Sequence, residues 1–369
     1  MNFEIACLLV VGLFAALFQP AEHDTVVVVS NDVLSGPLQP QAAVDEKGTI
    51  FVVFGAGDRI YCCTSTDVCK TFGKPVEVGM VPKLALGMRR GPRIAAGGGT
   101  VVITAIGHET GDVYAWRSTD NALSWSEPVR VSDSPGDARE GLHALAMGPA
   151  GQVYCTWLDL RNKKTQLFGA CSNDGGESWS ENRMIYRSPD GSICECCHPA
   201  VTYDSKSAIH VMWRNSLGGC RDMYHAISND GGRSFGKGRR LGLSQWKLDA
   251  CPMDGGYLAA TESGNTTAVW RRDKQIFRTD TDTSEETLVG DGEQPWAAAT
   301  SDGVYLVWLS HRNGDLWLRK PGEAETQKLA GAATDPVVSG PVQGAGPVVV
   351  VWSTGGKDKL RIKAALVHE

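Results

Sequence analysis

Four stretches of the chain spell one turn: Ser65-Thr66-Asp67-Val68-Cys69-Lys70-Thr71-Phe72, Ser118-Thr119-Asp120-Asn121-Ala122-Leu123-Ser124-Trp125, Ser172-Asn173-Asp174-Gly175-Gly176-Glu177-Ser178-Trp179 and Ser228-Asn229-Asp230-Gly231-Gly232-Arg233-Ser234-Phe235. Their first residues stand 53, 54 and 56 positions apart. Such a turn locks itself. The Asp carboxylate accepts hydrogen bonds from backbone N–H groups of the turn, and Gly supplies a positive φ where it is present. The closing Trp or Phe then plugs an apolar seam. A single copy carries little weight, but four at nearly even spacing declare a repeat architecture.

A second period runs the length of the chain. Short β-rich runs end on an apolar plug at Phe51–Phe54, Val101–Ile106, Val153–Trp157, His210–Trp213, Thr267–Trp270, Val304–Trp308 and Val348–Trp352. Ahead of them lie the lead-ins Pro40-Gln41-Ala42, Pro92-Arg93-Ile94, Leu142-His143-Ala144, Pro199-Ala200-Val201, Pro252-Met253-Asp254, Pro295-Trp296-Ala297 and Pro336-Val337-Val338. A Gly- or Asp-rich turn separates lead-in from plug. Seven such units predict an all-β chain folded as a single seven-bladed β-propeller, with six blades as the alternative. Thr25–Ser30 is left over at the front. It is expected to complete the last blade, which closes the ring and removes two sheet edges.

Composition agrees with one closed ring. Of 369 residues, 43 are Gly and 17 Pro, which suits many turns rather than long helices. Much of the content of 11 Trp is then inter-blade packing. The net charge of −6 and the pI near 5.8 exclude nucleic acid and anionic membranes as partners, because both need a basic field. Ala6–Phe18 is an apolar run of 13, too short for a transmembrane helix, and Ala21 offers a cleavage site. Residues 1–21 are therefore read as a signal peptide and 22–369 as the propeller, exported to the periplasm or outside the cell, with an uncleaved anchor as the alternative. Cys7 falls in the signal segment. Ten Cys then remain, an even number that fits an oxidising compartment. A monomer is expected.

With these repeats the chain resembles the sialidase (neuraminidase) superfamily of β-propellers, whose Asp-box or BNR repeats have the form of the four turns. The resemblance covers nearly all of residues 22–369. It implies a carbohydrate-active fold, with a glycoside hydrolase of exo-sialidase type as the leading activity and Asp boxes on the face away from the active site. It also implies arginines that hold a substrate carboxylate. Arg93-Ile94-Ala95 stands at a lead-in in the manner of the family's Arg-Ile-Pro, and Arg214 and Arg271 follow strand ends and complete an Arg group.

Propeller geometry gathers the lead-ins and the loops after each plug around one mouth, where Arg, His and carboxylates are concentrated. In the enzyme reading Arg93, Arg214 and Arg271 hold an anionic sugar group, Glu109 or Asp222 transfers the proton, and His143 assists. Asp159, Arg161, Asn215, Asp254 and Arg272 line the substrate, and Trp246 and Trp296 are free to face it. The partner is an acidic glycan or a small acidic sugar. A non-catalytic glycan- or protein-binding propeller uses the same mouth. No cofactor is required, yet one oddity stands out. Cys194-Glu195-Cys196-Cys197-His198-Pro199 and Cys251-Pro252-Met253-Asp254 open neighbouring units, with His198 in register with Cys251. A soft metal such as copper or zinc would take Cys197, His198, Cys251 and Met253. Disulfides that staple these loops are the favoured alternative.

Overall fold

The computed structural model describes residues 24–368 except 284, 342, 343 and 357, so the expected signal segment lies outside the described residues. Antiparallel pairing builds five four-stranded sheets and one seven-stranded sheet. The seven-stranded sheet is two blades that share a strand. Gln327–Ser339 pairs with Gly314–Arg319 through its first half and with Val348–Thr354 through its second. It is the outer strand of blade 6 and then the inner strand of blade 7. The change of blade falls at Gly331 and Ala332, the latter at φ 50°. The ring therefore has seven blades. Thr25–Ser30 pairs with Arg361–His368 as the outermost strand of the seventh, so the two ends of the chain close the ring together.

Inner strands Leu38–Val44, Arg93–Gly97, His143–Met147, Ala200–Tyr203, Gly256–Ala260, Glu293–Thr300 and the second half of Gln327–Ser339 surround the axis. Small side chains, among them Ala43, Ala95, Ala146, Ala259 and Ala298, keep the channel narrow, with a cavity of about 130 Å³. Second strands such as Ile50–Ala56 and Val153–Asp159 are buried at every residue because neighbouring blades cover both faces. Trp157, Trp213 and Trp352 are among the largest fully buried side chains, as inter-blade plugs should be. Among the described residues no helix is long and apolar enough to cross a membrane.

The four Asp-box turns join third to fourth strands of blades 1 to 4, on the face opposite the mouth. In each, the Asp carboxylate takes the backbone N–H and the hydroxyl of the Ser or Thr four residues on, as Asp230 does from Ser234 at 2.9 and 2.5 Å. The Thr71 hydroxyl above all holds Asp67 down at about 2, and the Ser124 hydroxyl does the same for Asp120. Gly232 shows why Gly recurs here. Its φ is 85°, and a Cβ would lie 2.3 Å from Cε2 of Tyr154, a residue of the neighbouring blade. Gly232→Ala is expected to cost about 2 kcal/mol or more, from a strained φ and a ring with little room to retreat. The urea midpoint reads this directly, and an unchanged midpoint would mean that the box does not rest on Tyr154.

Candidate functional site

The mouth is built from the upper ends of the inner strands and the loops that feed them, and its centre is filled. Met88 and Arg89, at φ 51° and 64°, are successive non-glycine residues in the left-handed region. This strained backbone sends Arg89 across the axis. Its guanidinium lies 4.6 Å over the ring of Trp296 in blade 6 and donates to Pro336 O in blade 7 at 3.1 Å. Gln39 of blade 1 donates to Asp335 of blade 7 at 2.6 Å, and the backbone N–H of Gln294 donates to Asp254 at 2.8 Å. Burial raises the Asp254 and Asp335 carboxyls, against the pull of nearby guanidinium groups, and burial lowers Arg89. Arg89 and Asp335 had no place in the expected site. The available signal was the run Arg89-Arg90-Gly91-Pro92-Arg93, three arginines around a Gly-Pro turn.

The expected arginine group sits at the mouth with its guanidinium groups bonded inside the fold. Arg93, 4% exposed, donates to His143 O at 3.1 Å, to Gly91 O and Pro92 O at 3.1 and 3.2 Å, and to Arg89 O. Arg214, 1% exposed, donates to Asp254 O, Arg221 O and Arg271 O at 3.1, 2.7 and 2.9 Å. Arg271 donates to Asp273 O and to Glu293 at 3.1 Å, with Asp254 at 3.7 Å. Arg272 forms a bidentate pair with Glu286 and lies 3.9 Å over the Phe277 ring. Arg161 is held by Asp159 and Asp133. These side chains are blade fasteners, each tied within its own surroundings.

The two alternative proton-transfer groups are each engaged. Glu109 is exposed and paired with Lys83 at 3.4 Å, whereas Asp222 is buried and accepts the Trp246 N–H at 2.7 Å. His143, expected to assist as an acid or base, lies inside the fold. It has no exposed surface, its Nε2 contacts Thr104 O and Oγ1, and burial, then Arg93, pushes it down to about 3. Asn215 is buried and donates to the Tyr186 hydroxyl at 3.1 Å. Trp296 is likewise not free for a ligand: it is 2% exposed, stacked 4.0 Å from Tyr257 beneath Arg89. Trp246 is half-buried against Arg214 and Arg271, at 5.2 and 5.8 Å.

The cysteines also depart from expectation. All ten in the described residues are free thiols, so the anticipated staples are absent. The expected metal set of Cys197, His198, Cys251 and Met253 is not assembled either. The inner strand of blade 5 begins at Gly256, four residues beyond Pro252, so His198 stands against Gly255 rather than Cys251. A Cβ on Gly255 would lie 2.8 Å from His198 Nε2, and the imidazole turns inward to face Trp296 at 5.7 Å. Met253 adopts φ 50°, and its carbonyl accepts from Arg312. The sulfurs that do converge are those of Cys194, Cys196 and Cys197, which lie within 4.8 Å of one another. Cys251, exposed in the loop into blade 5, stands outside this trio. Hydrogen bonds with Cys196 and Cys197 hold the Cys194 thiol well below the ordinary range, and burial pushes Cys197 well above it.

The mouth face also carries an open groove. Asn162, Lys164, Gln166, Arg187, Ser188, Pro189 and Gly191 line a groove of about 540 Å³ between the hairpin of blade 3 and the loop leading into blade 4. Lys164 and Arg187 are exposed there, and neither forms an ion pair with the described residues.

Comparison with known proteins places the fold. The profile of the BNR repeat-like domain matches residues 95–287, just over half of the chain. No curated protein matches. Among solved structures, the intramolecular trans-sialidase from Ruminococcus gnavus, in complex with oseltamivir carboxylate, is 10% identical with a TM-score of 0.54 over 95% of this chain and 98% of that one. A PL25 ulvan lyase bound to -[GlcA(1-4)Rha3S]- is 12% identical with a TM-score of 0.57, over 92% and 95% of the two chains. YCF48 bound to D1 peptide is 12% identical with a TM-score of 0.54, over 92% and 94%. At such identities the likeness is one of fold.

Proposed function

The chain belongs to the BNR repeat-like domain family, and from that footing we propose that it is an exported, non-catalytic propeller that binds an acidic glycan on its mouth face. The observation that carries this reading is the state of Arg93, Arg214 and Arg271. A substrate carboxylate needs guanidinium groups with donors to spare. Here the donors face main-chain carbonyls, Glu293 and Asp254. Glycoside cleavage also needs a proton-transfer group free to reach the glycosidic oxygen. Glu109, paired with Lys83, and Asp222, bonded to the Trp246 N–H, are engaged elsewhere.

Recognition needs less. The groove beside blade 3 has room for a sugar unit or two, two uncompensated cations at Lys164 and Arg187, and the amides of Asn162 and Gln166. Cations meet a carboxylate or sulfate and amides meet neighbouring hydroxyls. The ulvan lyase carries an acidic disaccharide unit and the trans-sialidase an acidic compound, so acidic ligands are at home on this fold, while the peptide on YCF48 marks the protein-binding alternative.

A panel of sialosides and uronides tests the reading. No turnover is expected on any of them. Binding of acidic glycans on an array is expected to fall by about 10-fold when Lys164 and Arg187 are both replaced by Ala, since each exposed charge contact contributes up to about 1 kcal/mol. Turnover of any member returns the chain to the glycosidases, and undiminished binding by the double variant removes the groove.

A further inference from the structure

We propose that the loop leading into blade 4 is a metal site in which the sulfurs of Cys194, Cys196 and Cys197 bind one thiophilic closed-shell cation, Zn²⁺ or Cu⁺. The separations carry the inference. Cys194 Sγ lies 3.7 Å from Cys196 Sγ and 3.6 Å from Cys197 Sγ, and the last two are 3.9 Å apart. In a tetrahedral centre the edge between ligands is ~1.63 times the bond to the metal, so a metal–sulfur bond of about 2.3 Å requires edges of about 3.8 Å. A trigonal set with the same bond requires about 4.0 Å. The three observed edges are nearly equal and match either geometry. A disulfide requires about 2.05 Å, which none of the three pairs approaches.

Packing alone does not account for the trio. Cys62, Cys63 and Cys155 lie on strands and face apolar cores, where a thiol acts as a small hydrophobe. Cys194, Cys196 and Cys197 instead turn their sulfurs toward each other from one loop, and thiol–thiol hydrogen bonds are too weak to impose that. Access is graded: Cys194 and Cys197 are buried and Cys196 is half-buried, so an ion reaches the group past Cys196. The charge is also met. Arg214 is buried, donates only to carbonyls and forms no ion pair at 4 Å among the described residues, and the Cys194 N–H donates to the Arg214 carbonyl at 3.0 Å. Zinc on three thiolates carries a net −1, and the buried Arg214 guanidinium, whose charge acts on both Cys194 and Cys197, stabilises it. Soft sulfur ligands select zinc and cuprous copper over magnesium or calcium. His198, turned inward on Trp296, is not part of the set.

Titration of the full chain, with its thiols reduced and its metals stripped, decides the matter. Zn²⁺ is competed against a chromophoric chelator and Cu⁺ against a cuprous chelator. One equivalent of at least one ion is expected to bind, about 100-fold more tightly than in Cys194→Ser or Cys197→Ser. Cys171→Ser should bind as the parent does. Cys196→Ser, at a half-exposed position, serves if the buried variants fail to fold. Cobalt loaded in place of zinc should show sulfur-to-metal charge-transfer absorption that Cys196→Ser abolishes. The proposal is overturned if neither ion binds stoichiometrically, if all three serine variants bind like the parent, or if a disulfide within Cys194–Cys197 is mapped in protein isolated without reductant.

Discussion

Arg93→Ala is expected to destabilise the propeller by about 3–5 kcal/mol rather than to silence a binding site in an intact fold. Arg93 stands at the upper end of the inner strand of blade 2, and its head joins His143 O in blade 3 to Gly91 O, Pro92 O and Arg89 O in its own loop. Truncation leaves four main-chain carbonyls facing a small apolar side chain. A buried acceptor without a donor costs about 1–3 kcal/mol, and the cavity adds to that. Relief from desolvating a buried cation, which brings Arg93 down to about 10, works the other way. Four acceptors outweigh that relief. Arg89, whose carbonyl is one of the four, would lose its anchor, so the axial plug loosens as well. Lysine is no remedy, because a single ammonium cannot reproduce a planar fork that reaches carbonyls on two blades. Urea unfolding measures the loss, and Arg93→Lys should fall near Arg93→Ala. Parent-like stability in Arg93→Ala, combined with lost glycan binding, would restore a substrate-holding role to this arginine.

That contrast marks what the sequence could and could not reveal. The ring was legible because its repeat is written in side chains: the Ser and Asp of each box, the plug at the end of each second strand, and the unpaired Thr25–Ser30. The shared strand Gln327–Ser339 was harder, since blades 6 and 7 are joined without a loop and only Gly331 hints at the change. Blade 5 was misplaced by four residues because Pro252 served as a ruler, although it lies in the loop ahead of Gly256. At the mouth the residue types were found and their partners were not. The acceptors of Arg93 and Arg214 are main-chain carbonyls, which every residue has and no sequence displays. Spacing likewise placed cysteines on neighbouring loops without showing that Cys194, rather than His198, completes the trio. The imidazole has gone to the Trp296 side, where the absence of a side chain at Gly255 makes room for it.

Acidification below about pH 6.5 is expected to unfold the propeller cooperatively, with several protons taken up on unfolding. Four histidines are held neutral inside it. Burial, then Arg93, brings His143 down to about 3, and burial, then His210 and Arg239, brings His225 to about the same value. Burial also lowers His198, reinforced by Arg89, Arg93 and Arg214, and His210, where Asp204 pulls the other way. Because these folded values lie below the unfolded one, the unfolded chain binds the proton first as pH falls. Stability is therefore complete above about pH 6.5 and declines at about 1.4 kcal/mol per pH unit for each histidine until its folded value is reached. His143 and His225 together remove of the order of 5 kcal/mol between about pH 6 and about pH 4. That is a large share of the roughly 5–15 kcal/mol that holds a domain together. Asp254 and Asp335 act in the opposite sense, since their raised carboxyls bind protons in the folded state first. The Asp boxes join the histidines only below about pH 4, where Asp67 and Asp120, both lowered, give up their turn bonds. Urea midpoints at about pH 7.5, 6, 5 and 4 should fall steadily, and His225→Leu should reduce the slope by about one proton. A midpoint level down to about pH 4.5 would mean that these imidazoles find water or a proton within the fold, and that the blades around His143 and His225 are looser than their contacts indicate.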